Sequence, residues 1–374
     1  MNKKKKINEI LQFQEKELIV LSCFGHVAID YVSNLFDNNK QIIKIPPLSF
    51  FRKLMVLKRR KKIFIDQYKS KKTLSMFIRK NFLKKSPMKS YNFFKNSAQK
   101  KKFDKYFIDF LNTTQEKKFE KKIFLAINYS IAKIHHINIL SKKYIFTQED
   151  RPNYCHFYSK FFNVKYLFVV RDPRATFSGS FKSQKLHKIG KTYGFDRVLG
   201  NYLTAAEFIE KFSSKKLYLL KNESFQGKKN LRKQMKKICK WLNISFSKSL
   251  LQPTYFGKIW YGDSAYLGKR EQKKPLPKNY YELKNIRKRW KSNLTSNQIL
   301  DIEMLLFRLM KRYGYVLENK VSLKNLIKAY YRALFLYKDD YSFLKNIYYT
   351  FKNVIRRSMI LTNALYASKF VDLD

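Results

Sequence analysis

An arginine that follows a run of apolar, strand-forming residues, with an aspartate and a proline behind it, is well suited to reading phosphate. Tyr166-Leu167-Phe168-Val169-Val170 leads directly into Arg171-Asp172-Pro173-Arg174. A guanidinium at the carboxyl end of a buried parallel strand projects into the crevice where open α/β sheets take their ligands. Its planar fork matches phosphate oxygens in pairs. Pro173 stiffens the turn, and Ser178 and Ser180 add hydroxyls on the helix start expected next, where anions are favoured.

A second strand end offers a different set of groups. Glu17–Cys23 (ELIVLSC) is short and rich in β-branched residues, and Phe24-Gly25-His26 follows as a turn. Ile29, Val32, Leu35 and Phe36 then recur at helical spacing, giving strand, turn and helix. Gly25 permits an unusual backbone turn. His26 can offer a proton or a positive charge. Asp30 would act as a base, or repel an anion held in the loop. His135 and His136, ahead of a strand expected at 144–147, are further candidate bases, whereas His156 and His187 have no argument beyond residue type.

The remaining pattern describes what must hold these residues. Further buried strands are expected at 144–147, 165–170 and 217–220, and 234–242 carries Met235, Ile238, Cys239 and Leu242 on one helical stripe. Thr295 and Gln298 form a capping-box pair ahead of a helix marked by Ile299, Ile302, Leu306, Leu309 and Met310 that ends near Gly314. Strands alternating with helices predict an α/β fold, a three-layer α/β/α sandwich around a parallel sheet. Residues 50–121 read as Lys- and aromatic-rich helices covering or extending that core. Beyond Val316 the signal becomes a helical, basic C-terminal tail, so the expected division is 1–315 for the main domain and 316–374 for the tail.

The strand followed by Arg171-Asp172-Pro173-Arg174 and a nearby serine resembles the 3′-phosphate-binding segment of the PAPS-dependent sulfotransferases, which use 3′-phosphoadenylyl sulfate (PAPS). Asn222-Glu223-Ser224 resembles a Tyr-Glu-Asp-Leu-type turn of that family. Trp260-Tyr261-Gly262-Asp263-Ser264, the basic stretch 269–289, Trp290-Lys291 and Tyr313-Gly314-Tyr315 resemble its closing segment. The likeness covers roughly 18–46 and 140–315. It implies a P-loop-kinase-like fold, PAPS as sulfuryl donor and no metal requirement. Arg171 with Ser178 or Ser180 would hold the 3′-phosphate, since Gly179 stands where the family serine lies. Gly25, Trp260, Gly262 and Ser264 would complete the donor site. The first loop departs from the family: His26-Val27-Ala28-Ile29-Asp30 stands where the family has Arg-Ser-Gly-Thr-Thr or Lys-Ser-Gly-Thr. A catalytically inactive sulfotransferase-like binder is therefore the first rival reading.

Charge bounds the partners without selecting one. Against 27 Asp+Glu stand 80 Lys+Arg, a formal net charge of +53. Such a field attracts nucleic acid, acidic glycans, anionic lipid or a phosphorylated nucleotide. Abundant Lys, Asn, Ile, Phe and Tyr with only 10 Gly also match A/T-rich codons, a competing source of the charge. No nucleic-acid module or zinc spacing is present, which argues against a nucleic-acid partner. A Gly-Lys-Ser/Thr phosphate loop is absent, which argues against a nucleotide kinase. Cys23, Cys155 and Cys239 lie far apart, fitting a reducing, cytoplasmic setting. No signal peptide or membrane span is expected. The expected acceptor is a carbohydrate or a lipid head group. Residues 323–352 read either as an amphipathic stripe packed on its own domain or as a peripheral contact with an anionic membrane.

Overall fold

The structure, a computed structural model, describes residues 3–24, 28–44, 49–59, 70–83, 93–187, 195–210, 212, 215–261 and 290–335. At its centre lies β1 (Glu17–Cys23), buried from Leu18 onward. It pairs in parallel with β3 (Tyr144–Gln148) on one side and β4 (Val164–Val170) on the other. Outside these run β2 (Ile42–Lys44) and β5 (Leu217–Lys221), giving a five-stranded parallel sheet in the order β2-β3-β1-β4-β5. The expected strands are all present, each within a residue or so of its expected bounds. β2 is an addition. At three residues it is too short for an alternating signal.

Register assigns the layers. Val20 pairs with Thr147 and with Tyr166, so these three side chains share one face of the sheet. There Tyr166 donates to the Cys155 carbonyl of α7 (Cys155–Ser159) and packs edge-on to Phe208 of α9 (Phe195–Glu210). Their strand neighbours point the other way. Phe146 stacks on Phe36, just beyond α2 (Ile29–Leu35), and Lys165 reaches the Trp241 carbonyl of α10 (Lys228–Leu242). The sheet is thus sandwiched between helices, the expected α/β/α arrangement. Cys23, Cys155 and Cys239 are all buried free thiols.

Within 50–121 the described residues include short irregular segments and three helices: α3 (Phe50–Arg59), α4 (Lys71–Phe82) and α5 (Ser97–Thr113). They pack outside α6 (Phe119–Ile134), whose residues from Ile123 to Ala132 are all buried. Such a helix is apolar all round, so it has no amphipathic period to betray it in the sequence. Its polar members close on their own turn: Asn128 donates to the Phe124 carbonyl and Ser130 to that of Ala126, both at 2.6 Å. The N-terminal α1 (Lys3–Gln14) joins this layer through Phe13, edge-on to Phe110 and Tyr129.

Between β4 and α9 runs α8 (Pro173–His187). The capping box is formed as expected and starts α11 (Ser296–Arg312), with Thr295 accepting from the Gln298 amide and Gln298 accepting from the Thr295 amide. α12 (Leu323–Phe335) then lies on α11, its Arg332 bound to both oxygens of Asp301 and Ala329 and Ala333 buried. This part of the expected tail is packed on the domain; residues 336–374 lie outside the described residues. Among the described residues, no helix is long and apolar enough to cross a membrane.

A small antiparallel hairpin, β6 (Thr254–Tyr255) and β7 (Lys258–Ile259), turns through Phe256 and Gly257 at φ of 47° and 76°. Positive φ at both central residues matches the twist of the strands. Asp37 anchors the turn, accepting from Thr254 Oγ1 (3.0 Å) and the Gly257 amide (2.8 Å). Gly257→Ala is expected to cost about 1–2 kcal/mol, because an L side chain is strained at that φ. Gly200→Ala on α9, where nothing lies within 4 Å of the added methyl, should gain about 0.5–1 kcal/mol. Urea unfolding midpoints that moved in the same direction for both would contradict this account.

Candidate functional site at the carboxyl edge of the sheet

Parallel strands end together, so their carboxyl termini gather the residues that follow them on one rim. Arg171 leaves β4 there, half-buried. The turn that carries it is fixed from three directions. Tyr202 of α9 donates to the Arg171 carbonyl at 2.8 Å, and the Asp172 amide donates to Glu223 Oε1 at 2.9 Å. Asp172 in turn caps α8, accepting from the Arg174 amide at 2.9 Å, with Pro173 as the first helical residue. Glu223 stands on the short 3₁₀ turn Asn222–Phe225 after β5, and its other oxygen accepts from Tyr315 at 3.1 Å. The resemblance had marked Asn222-Glu223-Ser224 and Tyr313-Gly314-Tyr315 separately; the structure joins them under Arg171.

Arg174 serves that turn. Its guanidinium is 5 % exposed and donates to both oxygens of Asp172 (3.0 and 2.7 Å) and to Glu303 of α11 (2.5 Å). Trp290 covers its face, with the guanidinium carbon 4.4 Å from the ring centroid. Glu303, fully buried, also accepts the Glu318 and Asn319 amides. Trp290 therefore belongs to the core clamp.

Ser178 and Ser180 do not sit at a helix start. α8 begins at Pro173, so both lie beyond its first turn, and both are buried. One turn apart, Ser178 shares a face with Arg174, toward α11, and Ser180 shares one with Thr176, which accepts from Tyr202. The Ser178 hydroxyl is buried with no hydrogen-bond partner among the described residues.

The β1 end is adjacent. The Phe24 amide donates to the Val169 carbonyl, so the loop after β1 leaves the sheet beside Arg171. Gly25 and His26 fall at 25–27, outside the described residues. Ala28 follows in the left-handed conformation (φ 59°) and opens α2 without a side-chain cap. Asp30, in the first turn of α2, accepts from Gln148 Nε2 at 2.9 Å, and the same amide donates to Asp150 at 3.0 Å. Ser49 donates to the other oxygen of Asp150 at 3.3 Å. Two carboxylates thus converge on one amide beside the β1 loop.

Three residues of this rim escaped the sequence reading. Lys221 is paired in register with Val170, which puts an exposed second cation one strand from Arg171. Glu149, next after β3, is fully buried and faces Tyr158, whose hydroxyl is 3.4 Å from Oε2. Burial, with the neighbouring Asp150 charge, pushes its carboxyl up to about 8. Lys44, at the end of β2, is buried among Asn34, Asp37 and the Tyr255 ring. Burial brings its ammonium down to about 8 against the opposing pull of Asp37 and Asp30. Lys221 and Glu149 each stand at a strand end, the one signal that could have found them.

His135 and His136 are not brought to this rim. α6 returns the chain to the amino end of the sheet before β3 begins, so both lie at the opposite edge. His135 stacks on Phe256 with centroids 3.6 Å apart and its Nε2 lies 3.2 Å from the Phe93 carbonyl. Burial lowers its pKa to about 4, so it is neutral near pH 7. His136 is exposed, with φ of 55°. Trp260 ends the β6–β7 hairpin, which packs against α2 and Lys44 on the β2 side of the sheet. Gly262 and Ser264 lie outside the described residues.

No family model matches the sequence, and no curated protein matches it. Among solved structures, the chain is similar to the sulfotransferase domain from the curacin biosynthetic pathway, at 14% identity and a TM-score of 0.48, covering 81% of this chain and 99% of that one. It is also similar to the sulfotransferase domain from the Synechococcus PCC 7002 olefin synthase, at 13% identity and a TM-score of 0.46, covering 81% and 96%.

Arg174→Ala leaves Glu303 buried without its cation and is expected to cost about 3–5 kcal/mol in urea unfolding; a loss below about 1 kcal/mol, the level of a surface pair, would contradict the clamp. Glu149 gives a pH signature. Its folded-state pKa lies above the unfolded value of 4.5, so between pH 4.5 and about 8 the folded chain retains a proton that the unfolded chain has lost. Stability should fall as pH rises through that window. Relative to wild type, Glu149→Gln should gain roughly 1.4 kcal/mol per pH unit there. Parallel stability curves for the two proteins would remove Glu149 from this role.

Proposed function

We propose that this chain transfers a sulfuryl group from 3′-phosphoadenylyl sulfate to a hydroxyl or amine acceptor, a carbohydrate or a lipid head group. The observation that carries the reading is Arg171, half-buried at the carboxyl end of β4 on a turn tied to α9, β5 and α8, next to the loop that leaves β1. A guanidinium held in that position pairs with phosphate without first having to be ordered. The residues present fit the 3′-phosphate half of the donor. Arg171 and Lys221 supply cations at the rim, whereas Ser178 lies buried on the α11-facing side of α8.

When bound, the donor supplies the activated sulfuryl group and departs as 3′-phosphoadenosine 5′-phosphate. The acceptor must lose a proton as its bond to sulfur forms, and Asp30 is the described candidate for that base. Gln148 orients it by donating to Oδ1.

A second reading, a nucleotide-binding protein without turnover, is favoured by one observation. Asp30 and Asp150 both lie beside the β1 loop, where they would repel a phosphosulfate group. A nucleic-acid binder is supported by net charge alone.

Calorimetric titration with 3′-phosphoadenosine 5′-phosphate at two salt concentrations tests the shared part of the first two readings. Wild type should bind one equivalent, and Arg171→Ala should lose on the order of a hundredfold in affinity. Affinity retained in that variant would remove the nucleotide site, and binding that vanished with added salt would point to diffuse attraction. Transfer of labelled sulfuryl then separates enzyme from inactive binder. Asp30→Asn should lower turnover by about 10²–10⁴-fold without weakening nucleotide binding. Tighter nucleotide binding with no turnover in either protein would favour the inactive reading.

A further inference from the structure

The two faces of α12 are built differently. Its inner face is seated on α11 through Ala329, Ala333 and the bidentate Arg332–Asp301 pair. Its outer face carries Leu323, Ile327 and Tyr331, which are 74%, 61% and 57% exposed. Four-residue spacing puts them in one row along the helix. Lys324 and Lys328, both exposed, form a second row beside the first, and exposed Lys320 lies on the approach to the helix. No Asp or Glu occurs anywhere in 319–335. Single exposed apolar side chains are ordinary. Three in line, flanked by lysines and free of carboxylates, make a coherent surface.

We propose that this face of α12 lies on an anionic bilayer. Leu323, Ile327 and Tyr331 enter the boundary between head groups and acyl chains, while Lys320, Lys324 and Lys328 meet the anionic head groups. Charge selects this occupant. A second copy of a chain with a net charge of +53 would set cation against cation. A soluble polyanion would use the lysines but leave the apolar row in water. The inference stands apart from the catalytic reading, since no residue of the Arg171 rim takes part in it.

The chain also provides its own control. On α10, Lys228, Lys229 and Lys233 are exposed with no exposed large apolar side chain beside them, so they can attract a charged surface but cannot insert into it. The experiment is flotation of the full chain with phosphatidylcholine vesicles, with and without phosphatidylserine. Binding is expected only when phosphatidylserine is present. Combined Leu323→Gln, Ile327→Gln and Tyr331→Gln should cut partitioning at least about tenfold. Lys320→Gln, Lys324→Gln and Lys328→Gln should each cost about fivefold. The α10 triple, Lys228→Gln, Lys229→Gln and Lys233→Gln, removes three charges where each α12 lysine variant removes one, and should still change partitioning less than about twofold. Circular dichroism checks that the variants keep their fold. The proposal is overturned if the apolar triple binds vesicles like wild type, as it would with a polyanion or the chain's own residues after 335 on this face. It is equally overturned if the α10 control loses as much as the α12 lysine variants.

Discussion

Taking a guanidinium out of water costs several kcal/mol, and Arg174 recovers that cost only because three partners reach it together. Asp172 comes from its own turn, Glu303 from α11 and Trp290 from the segment before that helix. Glu303 in addition gathers the backbone after α11 through the Glu318 and Asn319 amides. One buried ion cluster thus ties the start of α8 to α11 and to the residue that precedes that helix by a few positions.

The rest of the rim follows from the polarity of a parallel sheet. Every strand end contributes what comes next in the chain: Phe24 and the loop after β1, Gln148 to Asp150 after β3, Arg171 after β4, and Lys221 and Glu223 at the end of β5. Each connecting helix must carry the chain back to the amino edge, and α6 takes His135 and His136 with it. Residue type alone made these histidines attractive as bases. Direction of travel removes them to the edge where a half-buried, neutral His135 supports Phe256.

Opposed charges at one rim also suggest how the site is balanced. Arg171 and Lys221 lie on the β4–β5 side, whereas Asp30 and Asp150 lie on the β1–β3 side. An anionic ligand is drawn to the first group and repelled by the second. A proton acceptor is best placed at the second.

Local pattern was enough for the parts whose signal lies within one element. Four of the five strands, the α11 capping box and the place of Arg171 between a strand end and a helix start could be read because β-branched runs, Thr295 with Gln298, and strand–Arg–Asp–Pro order act over a few residues. Three-residue β2 and all-round buried α6 were lost because neither has a periodicity to detect. The roles of Arg174, Glu223, Tyr315 and Glu149 were decided only in three dimensions. Each depends on a partner 50 or more residues away or on the side of the sheet its neighbours occupy, as with Arg174 and Glu303 across 129 residues and Glu223 and Tyr315 across 92. Burial and through-space charge set those roles, and a linear pattern encodes neither.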